Sequence, residues 1–171
     1  MEDPHADGID KERGHPRALQ IIPDEFFWDC TDELGPFGSD EGDTALFEYR
    51  NWRKENPDRP LSECLVWTIE AVGEMSVADY SDAILDESVV AAQIEDPDFD
   101  DQHFIYTTDI SVVATGFGQL ADEGTIDPAA KVYVERALGR LAVWARLQPD
   151  WAHGETFIAN LARLGRALAE A

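Results

Sequence analysis

The sequence predicts an all-α protein: a single domain of about six helices packed as an irregular helical bundle behind a flexible N-terminal tail. Three observations carry that reading. Apolar residues recur at helical spacing along most of the chain, Asn-Pro, Gly and Pro positions stop those runs, and no segment shows a clear hairpin signal. A chain of 171 residues, 44% apolar and with 5 Trp, is long enough to bury one core.

Residues 1–18 lack apolar periodicity and are expected to form a disordered acidic and polar tail, leaving 19–171 as the all-α domain. The stretch LQIIPDEFFWDC is short and apolar, and Pro23 before Asp24 and Glu25 suits a brief helix start. GPFGSDEGD then crowds three glycines and several acids ahead of Ala45, Leu46, Tyr49 and Trp52, which repeat at helical spacing until Asn56-Pro57. A phosphate loop would need a nearby base. Here Asp40, Glu41 and Asp43 share the turn, and the first Lys after it is Lys54. A helix N-terminus welcomes carboxylates, because its unpaired N–H groups and its dipole favour negative charge. The stretch therefore reads as a capped helix start, with Ser39 or Asp40 as the cap.

After Pro60, the stripe Leu61, Cys64, Leu65, Thr68, Ile69 and Val72 predicts a helix ending at Gly73. Ser76, with Asp79 three residues on, resembles a capping box and predicts a third helix to about Ile94. EDPDFDDQH is a loop, and Phe104 to Tyr106 has the character of an extended segment. From Thr108 or Asp109, the spacing of Ile110, Val113, Phe117 and Leu120 is helical to Gly124. Asp127-Pro128 is a strong N-cap and first-turn pair opening a helix to about Gln148, where Pro149 breaks it. Phe157, Ile158, Leu161, Leu164 and Leu168 mark the last helix.

Charge narrows the function classes. The 36 acids outnumber 13 bases, for a net charge of −23, and no Lys or Arg occurs between Arg59 and Lys131. Such a field repels nucleic acid and anionic membranes and draws in cations or basic protein surfaces. No run of eighteen apolar residues exists and the N-terminus is acidic, so a cytoplasmic protein is expected. Cys30 and Cys64 are read as reduced thiols.

Several constellations carry chemistry in principle. Asp96, Asp98 and Asp100 have the D-x-D-x-D spacing of a calcium loop, but Asp101 replaces the required sixth-place Gly and Thr107 the twelfth-place Glu. Gly116 to Ala121 matches G-x-G-x-x-A, with Glu135 beyond it as a ribose ligand. Only Gln119 to Glu123 would remain as its helix, no base lies near, and the glycines read more simply as sites of close helix crossing. Asp79, Asp82 and Asp86, at i, i+3 and i+7 with Glu87 beside them, form either a docking strip for a basic partner or carboxylates for magnesium. His5, His15, His103 and His153 are scattered, so neither a metal nor a cofactor is expected.

PFGSDEGDTALFEYRNW, DAILDESVVAAQI and VERALGRLAVWARLQPDW resemble segments of a group of small uncharacterised bacterial all-α proteins. The glycine-expanded turn and the acidic N-terminal extension depart from that group. What the resemblance implies is an all-α fold and no particular activity.

The expected function is a non-enzymatic interaction module that binds a basic protein, as toxin-neutralising immunity proteins do. Asp79, Asp82, Asp86, Glu87, Asp96, Asp98, Phe99, Asp100 and Asp101 would form the contact, with Trp52 or Phe99 as an anchor. The alternative is an enzyme binding a small ligand, nucleotide or divalent metal through Gly116–Ala121 or the Asp79/Asp82/Asp86 cluster.

Overall fold

A computed structural model describes residues 8–95 and 102–171, with residues 102–104 as backbone only. The helices in chain order are α1 (Pro16–Ile21), α2 (Glu25–Trp28), α3 (Asp40–Glu55), α4 (Leu61–Trp67), α5 (Glu87–Glu95), α6 (Gln102–Glu123), α7 (Pro128–Arg146) and α8 (Gly154–Glu170). No strand occurs among the described residues, and none of their helices is long and apolar enough to cross a membrane.

The bundle is organised around α6, which packs against α3 on one side and α7 on another, while α8 packs on α7. Every residue of α6 from Thr108 to Ala121 is buried, so this helix must be acceptable to neighbours all round. Its two central glycines provide that. A Cβ on Gly116 would fall inside Val134 of α7, and one on Gly118 would lie 3.1 Å from Leu46 and 3.2 Å from Tyr49 of α3. The G-x-G-x-x-A stretch is thus continuous helix at a double crossing, and its geometry is not that of a phosphate-binding turn. Phe104 to Tyr106, expected to be extended, belongs to the same helix.

Buried polar residues of α6 find partners within the bundle. Gln119 accepts from the Asp127 N–H at 2.9 Å and donates to the Asp127 carboxylate at 3.0 Å. Asp127 occupies the N-cap position of α7 without capping it; its carboxylate instead accepts the N–H of Leu61 at 2.9 Å. Pro60, which precedes α4, has no side-chain acceptor, so a residue from another helix supplies the cap.

The third predicted helix is broken. Residues 77–85 form two 3₁₀ turns, Val77–Asp79 and Asp82–Leu85, before α5 begins. Ser76, Ser81 and Asp86, five residues apart, each accept the N–H two residues on, at 3.3, 3.4 and 2.9 Å. Such local side-chain bonds offer the backbone an alternative to helix. The bend also sends Tyr80 into the core, fully buried.

Part of the expected tail is built into the fold. Ile9 is buried, the Gly8 carbonyl accepts from Arg50 at 3.1 Å, and α1 starts at Pro16 with Ala18 in the core. Arg17 reaches the Gly124 and Glu170 carbonyls, joining α1 to the ends of α6 and α8. Residues 1–7 lie outside the described residues.

At the start of α3, Ser39 is the cap: its Oγ accepts the Gly42 N–H at 3.1 Å, and Asp40, Glu41 and Asp43 occupy the first turn. Ser39→Ala should therefore cost about 0.5–2 kcal/mol in chemical denaturation. Asp40→Ala should cost less, since it removes only an interaction with the helix dipole.

Candidate functional site

The described ion pairs commit most of the bases internally. Arg50 pairs with Asp122, Arg53 with Glu123, Arg136 with Asp82, Arg140 with Asp109 and Arg163 with Asp24. None of these bonds involves Glu33, Asp40, Glu41 or Glu48. The acids of the α3 start, outside the ion pairs of the described residues, stand between two cavities, and Asp40 and Glu41 line both.

The larger cavity is an open cleft of about 500 Å³. Tyr106 of α6, Trp144 of α7 and Trp151 of the α7–α8 connection form its aromatic side, and Glu33, Asp40 and Glu41 its acidic side. The aromatic rings are held in place. Trp144 lies 5.8 Å from Tyr106 and 5.6 Å from Trp151, centroid to centroid, and Phe157 of α8 packs behind all three. The 33–34 loop is fixed by Asn160, which donates to the Leu34 carbonyl at 3.0 Å. No Lys or Arg lines the cleft.

Its electrostatics follow from this arrangement. Burial pushes the Tyr106 phenol up to about 12; Ser39 opposes the shift, while the charges of Glu41 and Glu33 add to it. The phenol is therefore neutral at physiological pH, in a negative field. Trp144, 7% exposed, keeps its indole N–H buried without an acceptor. A cation entering the cleft would meet an aromatic wall and the carboxylates of Glu33, Asp40 and Glu41.

The smaller cavity, about 230 Å³, opens between α3, α4 and α6. Its one thiol, Cys64, is pushed up to about 12, chiefly by burial, and is protonated at neutral pH. Tyr49 beside it is also raised by burial and donates to Glu123 at 2.8 Å.

The acidic strip expected on one helix face does not form as such. Asp79 closes a 3₁₀ turn and Asp82 opens the next, its carboxylate 3.3 Å from Arg136. Asp86 is occupied locally, accepting from both the N–H and the hydroxyl of Ser88 at 2.9 and 2.5 Å. All three, and Glu87, are exposed. Among the described residues no three His, Cys, Asp or Glu side chains converge as for a metal ion. Trp52 is half-buried with the Arg53 guanidinium 5.1 Å above its ring. Asp96, Asp98, Phe99, Asp100 and Asp101 lie outside the described residues.

Sequence reasoning missed the cleft. Glu33, Tyr106, Trp144 and Trp151 come from segments far apart in the chain, and only the two tryptophans bracketing Pro149 hinted at a shared wall.

Comparison with known proteins agrees with the resemblance to uncharacterised bacterial proteins. The chain is 30% identical over 148 residues to the uncharacterised protein YfeS of Escherichia coli (strain K12), a match covering 86% of this chain and 58% of that one. The matched region thus spans less than two thirds of the relative's length. No family model matches, and no solved structure matches.

Proposed function

We propose that this protein is a non-enzymatic binding module for a basic protein partner, and that the cleft between the α3 start and the α7–α8 connection receives a lysine or arginine side chain of that partner. The observation that carries this reading is the composition of the cleft: three packed aromatic rings and three carboxylates, with His153 beside them and no Lys or Arg in the lining. The wider field of the base-free span draws the partner in, and the exposed Asp79, Asp82, Asp86 and Glu87 add to it.

Charge alone would also attract any polycation, so the decisive variant leaves charge unchanged. A hexa-arginine peptide titrated by calorimetry should bind with strong salt dependence. Trp151→Ala should weaken it by about 2 kcal/mol, roughly thirtyfold, while Trp52→Ala changes little. Equal affinity of Trp151→Ala and the parent protein, with the variant folded by circular dichroism, would exclude the cleft as the contact.

A further inference from the structure

The smaller cavity is built from three directions. Asp40, Glu41, Thr44, Ala45, Glu48 and Tyr49 come from successive turns of α3. Thr107, Ser111 and Thr115 stand at i, i+4 and i+8 on one face of α6. The third wall is the end of α4, where the helix does not simply stop. Thr68–Val72 continues as a π-turn, and the Gly73 N–H donates to the Thr68 carbonyl at 3.1 Å. A π-turn adds a residue to the helical turn and is frequently found at functional sites. Here its first and last residues, Thr68 and Val72, both line the cavity.

The interior is largely apolar despite its hydroxyl residues, because Ser111, Thr115 and Thr68 spend their hydroxyls on their own helices and Tyr49 spends its on Glu123. Ser111 donates to the Thr107 carbonyl at 2.6 Å, Thr115 to Ser111 at 2.8 Å, and Thr68 to Cys64 at 2.9 Å. With the protonated thiol of Cys64 and the methyl of Ala45, the buried walls offer little to a polar ligand. The volume of about 230 Å³ exceeds the ~150 Å³ of an engineered apolar cavity that takes up benzene. The opening is different. Asp40 and Glu48 are exposed, Glu41 is half-buried, no base lines the cavity, and Trp67, 48% exposed, stands beside them.

We propose that this cavity is a second binding site, adjoining the aromatic cleft across Asp40 and Glu41, for a small ammonium compound with an apolar body. The body, of phenyl or branched-alkyl size, fills the space between α3, the π-turn and α6. The ammonium stays at the opening among Asp40, Glu41 and Glu48, with Trp67 alongside. An apolar anion of the same shape is repelled by the same carboxylates.

Three probes of matched shape test this on the full chain: phenethylammonium, 2-phenylethanol and 3-phenylpropionate, followed by calorimetry and by ¹H–¹⁵N NMR. The ammonium should shift the Trp67 indole N–H and the amides of Thr44, Thr68 and Ser111, and should bind about tenfold more tightly than the alcohol. The carboxylate should bind more weakly than the alcohol. In a double variant, Asp40→Asn with Glu48→Gln, the advantage of the ammonium should largely vanish while the alcohol binds as before.

Equal binding of all three probes would overturn the proposal, as would no shift at Trp67 with any of them. Shifts confined to the Trp144 and Trp151 indoles would also overturn it, by placing the cation in the cleft. The cleft reading is tested separately by the arginine peptide, so either proposal can fail alone.

Discussion

Replacing Arg140 by methionine should cost about 3–5 kcal/mol of stability, because it strands a buried carboxylate. Arg140 is 1% exposed and Asp109 0%, at the contact between α7 and α6. The guanidinium donates through Nε and Nη2 to the two oxygens of Asp109 at 2.7 and 2.8 Å. Tyr80, delivered by the bend between the 3₁₀ turns, donates to Oδ1 at 2.7 Å, and its ring lies 5.6 Å from the guanidinium. Every partner of the carboxylate is a donor, so the group is held as the anion. Burial pushes Asp109 up, and Arg140 and Tyr80 oppose it. Burial likewise works against the charge of Arg140, but Asp109 outweighs it and holds the guanidinium above its ordinary value.

Two results would identify this mechanism. A double variant, Asp109→Leu with Arg140→Met, should be more stable than Arg140→Met alone, since removing both charges leaves none unpaired. The pH dependence supplies a sign. In Arg140→Met nothing but Tyr80 opposes the burial of Asp109, so its folded-state pKa rises further above the unfolded value. The folded state then binds the proton more tightly, and stability should fall as pH rises through that pKa. Urea midpoints measured from pH 5 to pH 8 at constant m-value would show it. A single variant losing less than about 1 kcal/mol, with no pH trend, would mean that the site hydrates or rearranges.

The helices legible in the sequence were those whose apolar stripe and stop signals agree. α3, α4, α7 and α8 fall where Tyr49, Leu65, Leu141 and Leu161 and their companions place them, because one face of each packs on the core. The segment 77–95 was misread for a physical reason that is visible afterwards. Its acids fit a helical spacing, but Ser76, Ser81 and Asp86 compete for the backbone every five residues, and Tyr80 turns inward to bond Asp109. The docking of residues 8–18, with Ile9 and Ala18 buried, was illegible for another reason. Its cause is Arg50 and Arg17 reaching across the fold, and no local pattern encodes that. The same holds for the cleft, whose chemistry exists only once Glu33, Tyr106, Trp144 and Trp151 are brought together.

Gly38→Ala should be the most damaging of the small substitutions, at about 1–3 kcal/mol or more. The glycines of GPFGSDEGD at first suggest a loop that bends freely or cradles a ligand. Each is instead a place where backbone passes against backbone. A Cβ on Gly35 would fall inside the Phe26 carbonyl oxygen, one on Gly38 inside that of Asp32, and one on Gly42 inside that of Pro36. Main-chain oxygens cannot swing aside as a side-chain end can, so a methyl at residue 38 must push the 32–38 loop off the start of α3. Ser39, Asp40 and Glu41 would move with it, and they line the two cavities between them. The loss of stability should therefore be accompanied by weaker binding of both the arginine peptide and phenethylammonium. Gly165→Ala provides the opposite sign. It lies within α8 with nothing within 4 Å of its would-be Cβ, so it should stabilise by about 0.5–1 kcal/mol and leave both ligands bound. Equal and small effects at residues 38 and 165 would show that the loop yields, and that α3 keeps its acids in place without backbone packing against those glycines.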